Sequence, residues 1–585
     1  MTKVDRHGPR RRWSLIAALT LAIVAPASHA DARPRAAKVA AAKPARPSKA
    51  RAKKARPAAP PVMVSIAGET PAPHDLAHAT TPAERAAAKI EALFTGPLRA
   101  GTTSILVADA ASGAPIFELD PDRPLNPASN VKLLSTAAAL DLLGPDHRYT
   151  TRILGAPADD AGVIHGGIYL RGTYDPTLDA GDVRALGRAL ADRGVTRIEG
   201  DVVIGDIPTR DGIYRAGVGV DIRAGAMGKP AIARLPAAYA GYDLVEVDVS
   251  ETKTRKRRGD LKFRQSIVTD DAGHTRVRLT VTGPIGRGRS TTRWIAFDSL
   301  RAHHTAHVLR GALKEAGVVL DGDVRVASLE AFVAEHGAGA RLPVVLAEHA
   351  SAPLAHILSL INKRSINWLA DRVIMTAAAI RDRAAPSMDR AVDAMQAWLA
   401  RRGDPGPTPV VVDTGSGLSR RTQFSARHIV DVLRRAGGFS RTAAADAAAA
   451  RAYLDSLAVA GVDGTLRHRF ARGEARGRLR GKTGTLRDSI ALSGLLEVDP
   501  ARPLAFAIVT NGHPSRAKLD IRRAHETLIA AVCEYLQATG GTTELDVDLG
   551  DEPTAAPVAE PSDPAQEDEE LGLEPGGDAA DDAAA

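Results

Sequence analysis

The sequence predicts an α/β protein in which an antiparallel sheet carries helices and is interrupted by a β-rich insertion. Three observations predict it. A strand hairpin near residue 104 precedes one nearly all-apolar helix, short alternating strands fill residues 146–345, and sheet-forming sequence returns only near residue 479. The chain has 585 residues and is 44% hydrophobic, which is enough for two or three domains and a sizeable core.

Taken in order, residues 1–30 read as a signal peptide. Basic "RHGPRRR" is followed by apolar "WSLIAALTLAIVAPA" and by the small-residue cleavage site "SHA" before Asp31. The apolar run is shorter than the ~20 residues of a membrane span, so the protein is expected to be exported, to a periplasm or a cell wall. Export would invite disulfides, but Cys533 is the sole cysteine and reads as a small buried hydrophobe in a C-terminal helix.

The net charge of +8 hides two opposite ends. Residues 31–60 carry ten Lys/Arg among Ala and Pro, whereas residues 544–585 carry fifteen Asp/Glu and no Lys/Arg. Neither can bury enough apolar surface to fold, so 31–80 is expected to be a disordered linker and 541–585 a disordered tail. The basic arm reads as a solvated spacer or as a contact to anionic wall polymer or a membrane surface. In an exported chain it does not indicate nucleic acid.

Folded sequence begins near residue 82 with the helix "TPAERAAAKIEALF". "SILVADAASGAPIFELD" is two strands around a Ser-Gly turn. A helix over 126–143 follows, with Asn126 as N-cap and Pro127 in the first turn, and ends at Gly144-Pro145. Residues 146–345 offer short strands and few long helices, and "KTRKRRGDLKFR" within them reads as a solvated hairpin or loop. Helices return at "SLRAHHTAHVLRGALKEAG", "APLAHILSLINKRSINWLADRVIMTAAAI" and "AVDAMQAWLARRG". The last strands, "RLRGKTGTLRDSIALSGLLEVD" and "PLAFAIVTNG", are expected to join the early hairpin in one sheet. The discontinuous domain then comprises 81–145 and 346–540, with 146–345 inserted.

The chemistry concentrates in "PLNPASNVKLLSTAAAL", residues 124–140. Ser129 and Lys132 share a face of the predicted helix at i, i+3. That helix is apolar almost all round, so it should be buried, and a buried lysine needs partners or a lowered pKa. A neutral amine beside a hydroxyl makes serine a nucleophile without histidine. Alone, S-x-x-K is a common spacing. "KRSINW" adds Ser365 and Asn367, and "RGKTGTL" adds Lys482, Thr483, Gly484 and Thr485 on a predicted strand. S-x-x-K, then S-D-N, then K-T-G is the ordered set of penicillin-binding proteins and class A β-lactamases, which these three segments resemble. Physically, Ser365 can relay a proton near Lys132, and Asn367 can hold a substrate amide. Lys482 offers a cation to a terminal carboxylate, and its charge would help to depress the pKa of Lys132.

The spacing narrows the resemblance. Ser129 and Ser365 are 236 residues apart, and Ser365 and Lys482 are 117 apart. With "GGIYLRGTYDPTL", "IEGDVVIGD", "DTGSGLSRRTQFS" and "GVDGTLRHRF", the chain resembles the class C low-molecular-mass penicillin-binding proteins, the D-alanyl-D-alanine carboxypeptidase/endopeptidase family, over about residues 80–540. The resemblance implies a penicillin-binding transpeptidase-like (serine β-lactamase-like) α/β fold with inserted domains. It also implies that Ser129 is the acylated nucleophile, Lys132 its base, and Ser365 and Asn367 the second element. Lys482, Thr483, Gly484 and Thr485 would bind substrate, with the Ser129 and Thr485 N–H groups as oxyanion hole. Peptidoglycan stem peptides and cross-bridges would be substrates, β-lactams covalent inhibitors, and no cofactor or metal is implied. The chain departs from the pattern at Ile366, where Asp is usual, and around "DIRAGAMGKPAIARLPAAYAGYD".

Two other functions stay in view: a β-lactamase or esterase on the same scaffold, and a wall-binding protein without activity. The intact triple motif argues against the second. "DTGSGLS" lacks the first Gly of G-x-S-x-G, and H-E-x-x-H, cysteine pairs and a complete G-x-G-x-x-G are absent from the sequence.

Overall fold

The computed structural model describes residues 81–257, 259–269, 275–335, 343–401, 409–440, 446–539 and Val547. The signal peptide, the basic linker and, Val547 apart, the acidic tail lie outside the described residues. No helix among those described is long and apolar enough to cross a membrane.

Helix α1 (Pro82–Thr95) starts with a capping box, Thr81 and Glu84 each bonding the other's backbone N–H. The hairpin of β1 (Thr102–Asp109) and β2 (Pro115–Leu119) turns at Gly113, at φ +81°, where Asp109 Oδ1 accepts from the Ser112 N–H and hydroxyl at 2.7 Å each. Three late strands extend its sheet: β3 (Leu479–Thr485), β4 (Ser489–Leu496) and β5 (Leu504–Asn511). Strand β5 pairs antiparallel with β1 from Thr102↔Asn511 to Asp109↔Leu504. With the two-residue strand Ala458–Val459 the order is Ala458–Val459, β3, β4, β5, β1, β2.

Strands β4 and β5 are buried along almost their whole length because both faces of the sheet are covered. Alternation sends Ile105 and Val107 toward α1 and the C-terminal helix Lys518–Thr539, and Leu106 and Ala108 toward the opposite helical layer. Cys533 is buried on the first side, and burial pushes its thiol up to about 12. The opposite layer surrounds α2 (Val131–Leu143), in which every residue from Val131 to Leu140 is buried.

The start of α2 differs from expectation. A 3-10 turn over Ala128–Asn130 precedes it, and Asn126 stays outside as a pinned linker. Asn126 Oδ1 accepts from the Ala128 N–H at 2.8 Å, while its backbone is fixed to the sheet by Asn511 (2.7 and 3.0 Å) and Ser489 (2.7 Å). The sheet holds the chain here, so the helix begins later.

Residues 150–350 form their own sheets, with one large core and a smaller cluster of Tyr169, Val203 and Phe332. The entry strand Thr150–Gly155 and the exit strand Val344–Ala350 pair antiparallel, Thr150 opposite Ala350. The two ends of this segment therefore lie side by side. It is less purely β than expected. Helix Ala180–Asp192 buries Val183, Leu186 and Leu190 against helix Arg301–Glu315, with Gly187 in close contact with Ala312. The second of these helices thus belongs to the insertion core rather than to the returning helical layer.

Candidate active site

Burial of α2 dictates the first feature of the site. Lys132 has no exposed surface, yet its Nζ lies 3.0 Å from Ser129 Oγ, 2.7 Å from Asn367 Oδ1 and 2.7 Å from the Ser416 carbonyl. Asn367 opens helix α3 (Asn367–Asp382), and Ser416 lies in the loop "DTGSG". Burial lowers the Lys132 pKa to about 7, against an opposing pull from the Asp371 carboxylate. A neutral amine has two N–H donors and one lone pair. The two carbonyl oxygens can only accept, so the lone pair is left for the Ser129 hydroxyl, which can donate.

The "DTGSG" loop is held tightly. Asp371 Oδ1 accepts from the Ser416 N–H at 2.7 Å, and Ser135 Oγ donates to the Gly415 carbonyl at 2.8 Å. Gly417 sits at φ +76°, where a Cβ would stand 2.0 Å from the Ala128 carbonyl oxygen. Sequence reasoning missed Ser416 and Asp371 as determinants of Lys132. Asp371 follows Asn367 at i+4, so it shares the helix face that meets Lys132, and that spacing was the available signal. An Asp371→Asn variant keeps an acceptor for Ser416 but removes the charge that raises the Lys132 pKa. With Lys132 as the base proposed below, acylation by penicillin should rise in rate with pH through about 7. In Asp371→Asn that limb is expected at lower pH, as measured by acylation rate against pH; an unmoved limb would mean that Asp371 acts through the loop alone.

Ser365 ends helix Leu354–Arg364 in a left-handed conformation, φ +57°, and the next helix begins at Asn367. Ser365 Oγ accepts from Lys482 Nζ at 2.8 Å, and Lys482 also donates to the Thr483 carbonyl at 2.8 Å. From the same segment Asn367 meets Lys132. Burial is the largest cause that lowers Lys132, and Lys482 is pushed well below its ordinary value by complete burial and then by the charge of Lys132.

Strand β3 brings Thr483, Gly484 and Thr485 alongside. The Leu486 N–H bonds to the Ser489 carbonyl across the sheet, and the Leu479 carbonyl accepts from Ala460 on the other side. Backbone groups alternate along a strand, so those of Thr483 and Thr485 face away from β4. The strand Ala458–Val459 reaches only Arg480 and Gly481, which leaves the Thr483–Thr485 edge open. Thr483 Oγ1 lies 3.0 Å from Thr465 Oγ1, another group that the sequence did not single out. Gly484 packs on the 3-10 turn, where a Cβ would stand 2.5 Å from the Pro127 carbonyl oxygen. All eight residues singled out in the sequence thus lie on elements that meet at one end of α2. Among the described residues, no group of His, Cys, Asp and Glu is arranged to hold a metal.

This fold is that of the penicillin-binding proteins. The crystal structure of penicillin-binding protein 4 from Haemophilus influenzae, complexed with a β-lactam, matches 75% of this chain and 98% of its own, with a TM-score of 0.55 and 20% identity. The D-alanyl-D-alanine carboxypeptidase of an Actinomadura species is 30% identical over 470 residues, 74% of this chain and 82% of that protein. Carboxypeptidase DacB of Mycolicibacterium smegmatis is 29% identical over 471 residues, 79% and 88% of the two chains. Residues 86–532 match the D-Ala-D-Ala carboxypeptidase 3 (S13) family, and the chain belongs to it: a serine peptidase, hence a hydrolase.

Proposed function

We propose that Ser129 is the nucleophile of a D-Ala-D-Ala carboxypeptidase or DD-endopeptidase acting on peptidoglycan stem peptides and cross-bridges. The observation that carries this reading is the 3.0 Å approach of Lys132 Nζ to Ser129 Oγ, with the lysine held near neutrality by burial. Ser129 Oγ attacks the carbonyl of the penultimate D-Ala as its proton passes to Lys132. The Ser129 and Thr485 backbone N–H groups stabilise the tetrahedral oxyanion. The C–N bond then breaks, the leaving amine takes the proton that Lys132 received, passed on through the Ser365 hydroxyl, and water hydrolyses the ester on Ser129. Lys482 binds a terminal carboxylate, the Asn367 amide N–H holds a substrate carbonyl, and the open edge at Thr483–Thr485 pairs with the extended peptide. A β-lactam enters the same path, because its strained amide acylates Ser129. The insertion over 146–345 is read as a separate body set into this catalytic one, and the protein as an exported enzyme of the cell wall.

Digestion of isolated peptidoglycan with purified protein, read by product mass, tests the proposal. Stems shortened by one D-Ala mark carboxypeptidase action, and cross-linked dimers converted to monomers mark endopeptidase action. Either product should vanish in Ser129→Ala. Unchanged peptidoglycan after treatment with folded, penicillin-reactive protein would contradict the substrate assignment.

A further inference from the structure

Away from the acyl-transfer site, a cavity of about 410 Å³ opens where the insertion meets the C-terminal end of α3. Ile380 forms part of its wall, 13 residues beyond Asn367 and so about 20 Å along the helix at ~1.5 Å per residue. Arg148, Arg152, Arg171 and Arg210 line it together with His147 and Tyr174. Arg152 and Arg171 stand directly opposite each other on neighbouring antiparallel strands. Like charges in that position ordinarily cost stability.

The available countercharge is incomplete. Glu348 pairs with Arg152 at 2.5 Å. Asp211, fully buried, accepts from Arg210 at 2.8 and 2.6 Å and lies 3.9 Å from Arg171. Among the described residues, Arg148 bonds to the Ser351 carbonyl alone, at 2.7 Å. A third carboxylate, Glu330, is exposed nearby and feels Arg171 and Arg210. Among the described residues, four guanidinium groups thus face three carboxylates, of which two bond into the cluster. His147 adds a buried Nε2 with no hydrogen-bond partner among the described residues. Tyr174 is held at φ +70°, its N–H bonded to the Arg210 carbonyl at 3.0 Å. Strained residues of this kind gather at binding sites.

We propose that this cleft binds a phosphate oxyanion, carried as a phosphodiester on an anionic polymer. A carboxylate satisfies one guanidinium fork, whereas a tetrahedral phosphate accepts from donors converging on several sides. The cavity is also larger than a bare ion requires and falls within the ~300–1,000 Å³ of ordinary ligand sites, leaving room for the groups that flank a phosphodiester. The site would tether the enzyme to a charged polymer without touching the acylation chemistry.

Phenylglyoxal modification of the full chain, mapped by peptide mass, tests this locally. A short poly(glycerol phosphate) should protect Arg148 and Arg171 while leaving arginines elsewhere reactive. Arg148→Ala and Arg171→Gln should each weaken binding of that polymer by about tenfold or more and leave penicillin acylation unchanged, which also shows that the variants fold. Inorganic phosphate protecting the two arginines as well as the polymer does would support the oxyanion site and name free phosphate as its source. Absence of protection at Arg148 and Arg171, or polymer binding that both variants retain in full, would overturn the proposal and assign polymer binding to the basic arm.

Discussion

Lys132→Ala is expected to slow acylation by a fluorescent penicillin by roughly 10²–10⁴-fold, the range for loss of a general base. Ser129 Oγ has no other base within hydrogen-bond reach among the described residues, since Ser365 is engaged by Lys482. The fold should suffer much less. The substitution leaves two acceptors, Asn367 Oδ1 and the Ser416 carbonyl, without their donor, at about 1–3 kcal/mol for each one shielded from water. Against that, it removes an amine whose burial disfavours its charged form. A Lys132→Met variant fills the space of the side chain but supplies no donor: it should lose less stability than the alanine variant and acylate as slowly. Acylation within tenfold of the parent in a folded Lys132 variant would remove this lysine from the base role.

Lys482→Ala should produce a loss that depends on the substrate. Truncating one member of a buried charge pair costs about 2–5 kcal/mol, or roughly 30- to 5,000-fold, but only when the other member is present. Peptides with a free terminal carboxylate should therefore lose far more than the same peptides amidated at the C-terminus. The proton balance gives a second readout. Lys482 is held well below its ordinary value by burial and by Lys132, and an arriving carboxylate favours the charged form. Binding of a carboxylate peptide is thus expected to take up protons, measurable by calorimetry in buffers of different ionisation enthalpy, and the uptake should disappear in Lys482→Ala. Equal losses on both peptide types with no change in proton uptake would make Lys482 a packing residue.

The parts of the site written in side-chain type and spacing were legible in the sequence. The near-continuous apolar character of 131–140 announced a buried helix, and a lysine within it required the hydroxyl and carbonyl partners that the structure supplies. What was illegible depends on backbone groups or on distant residues. The Ser416 carbonyl carries no side-chain signal, and the late start of α2 is imposed by Asn511, 385 residues from Asn126. The bond between Ser365 and Lys482 forms at a left-handed turn that a serine does not advertise. Helix Ala180–Asp192 was readable in principle, with Val183, Leu186 and Leu190 at helical spacing, but Gly181, Gly187 and scattered charges weaken its local propensity. Tertiary packing on Arg301–Glu315 provides what the local sequence lacks.

The central claim is that Ser129, activated by Lys132, forms the acyl-enzyme. Brief incubation with a fluorescent penicillin, followed by proteolysis and mass mapping, tests it most directly. The account predicts a single penicilloyl adduct on the peptide containing Ser129 and none in Ser129→Ala. An adduct on another serine of the folded protein, Ser365 or Ser416 included, would contradict it.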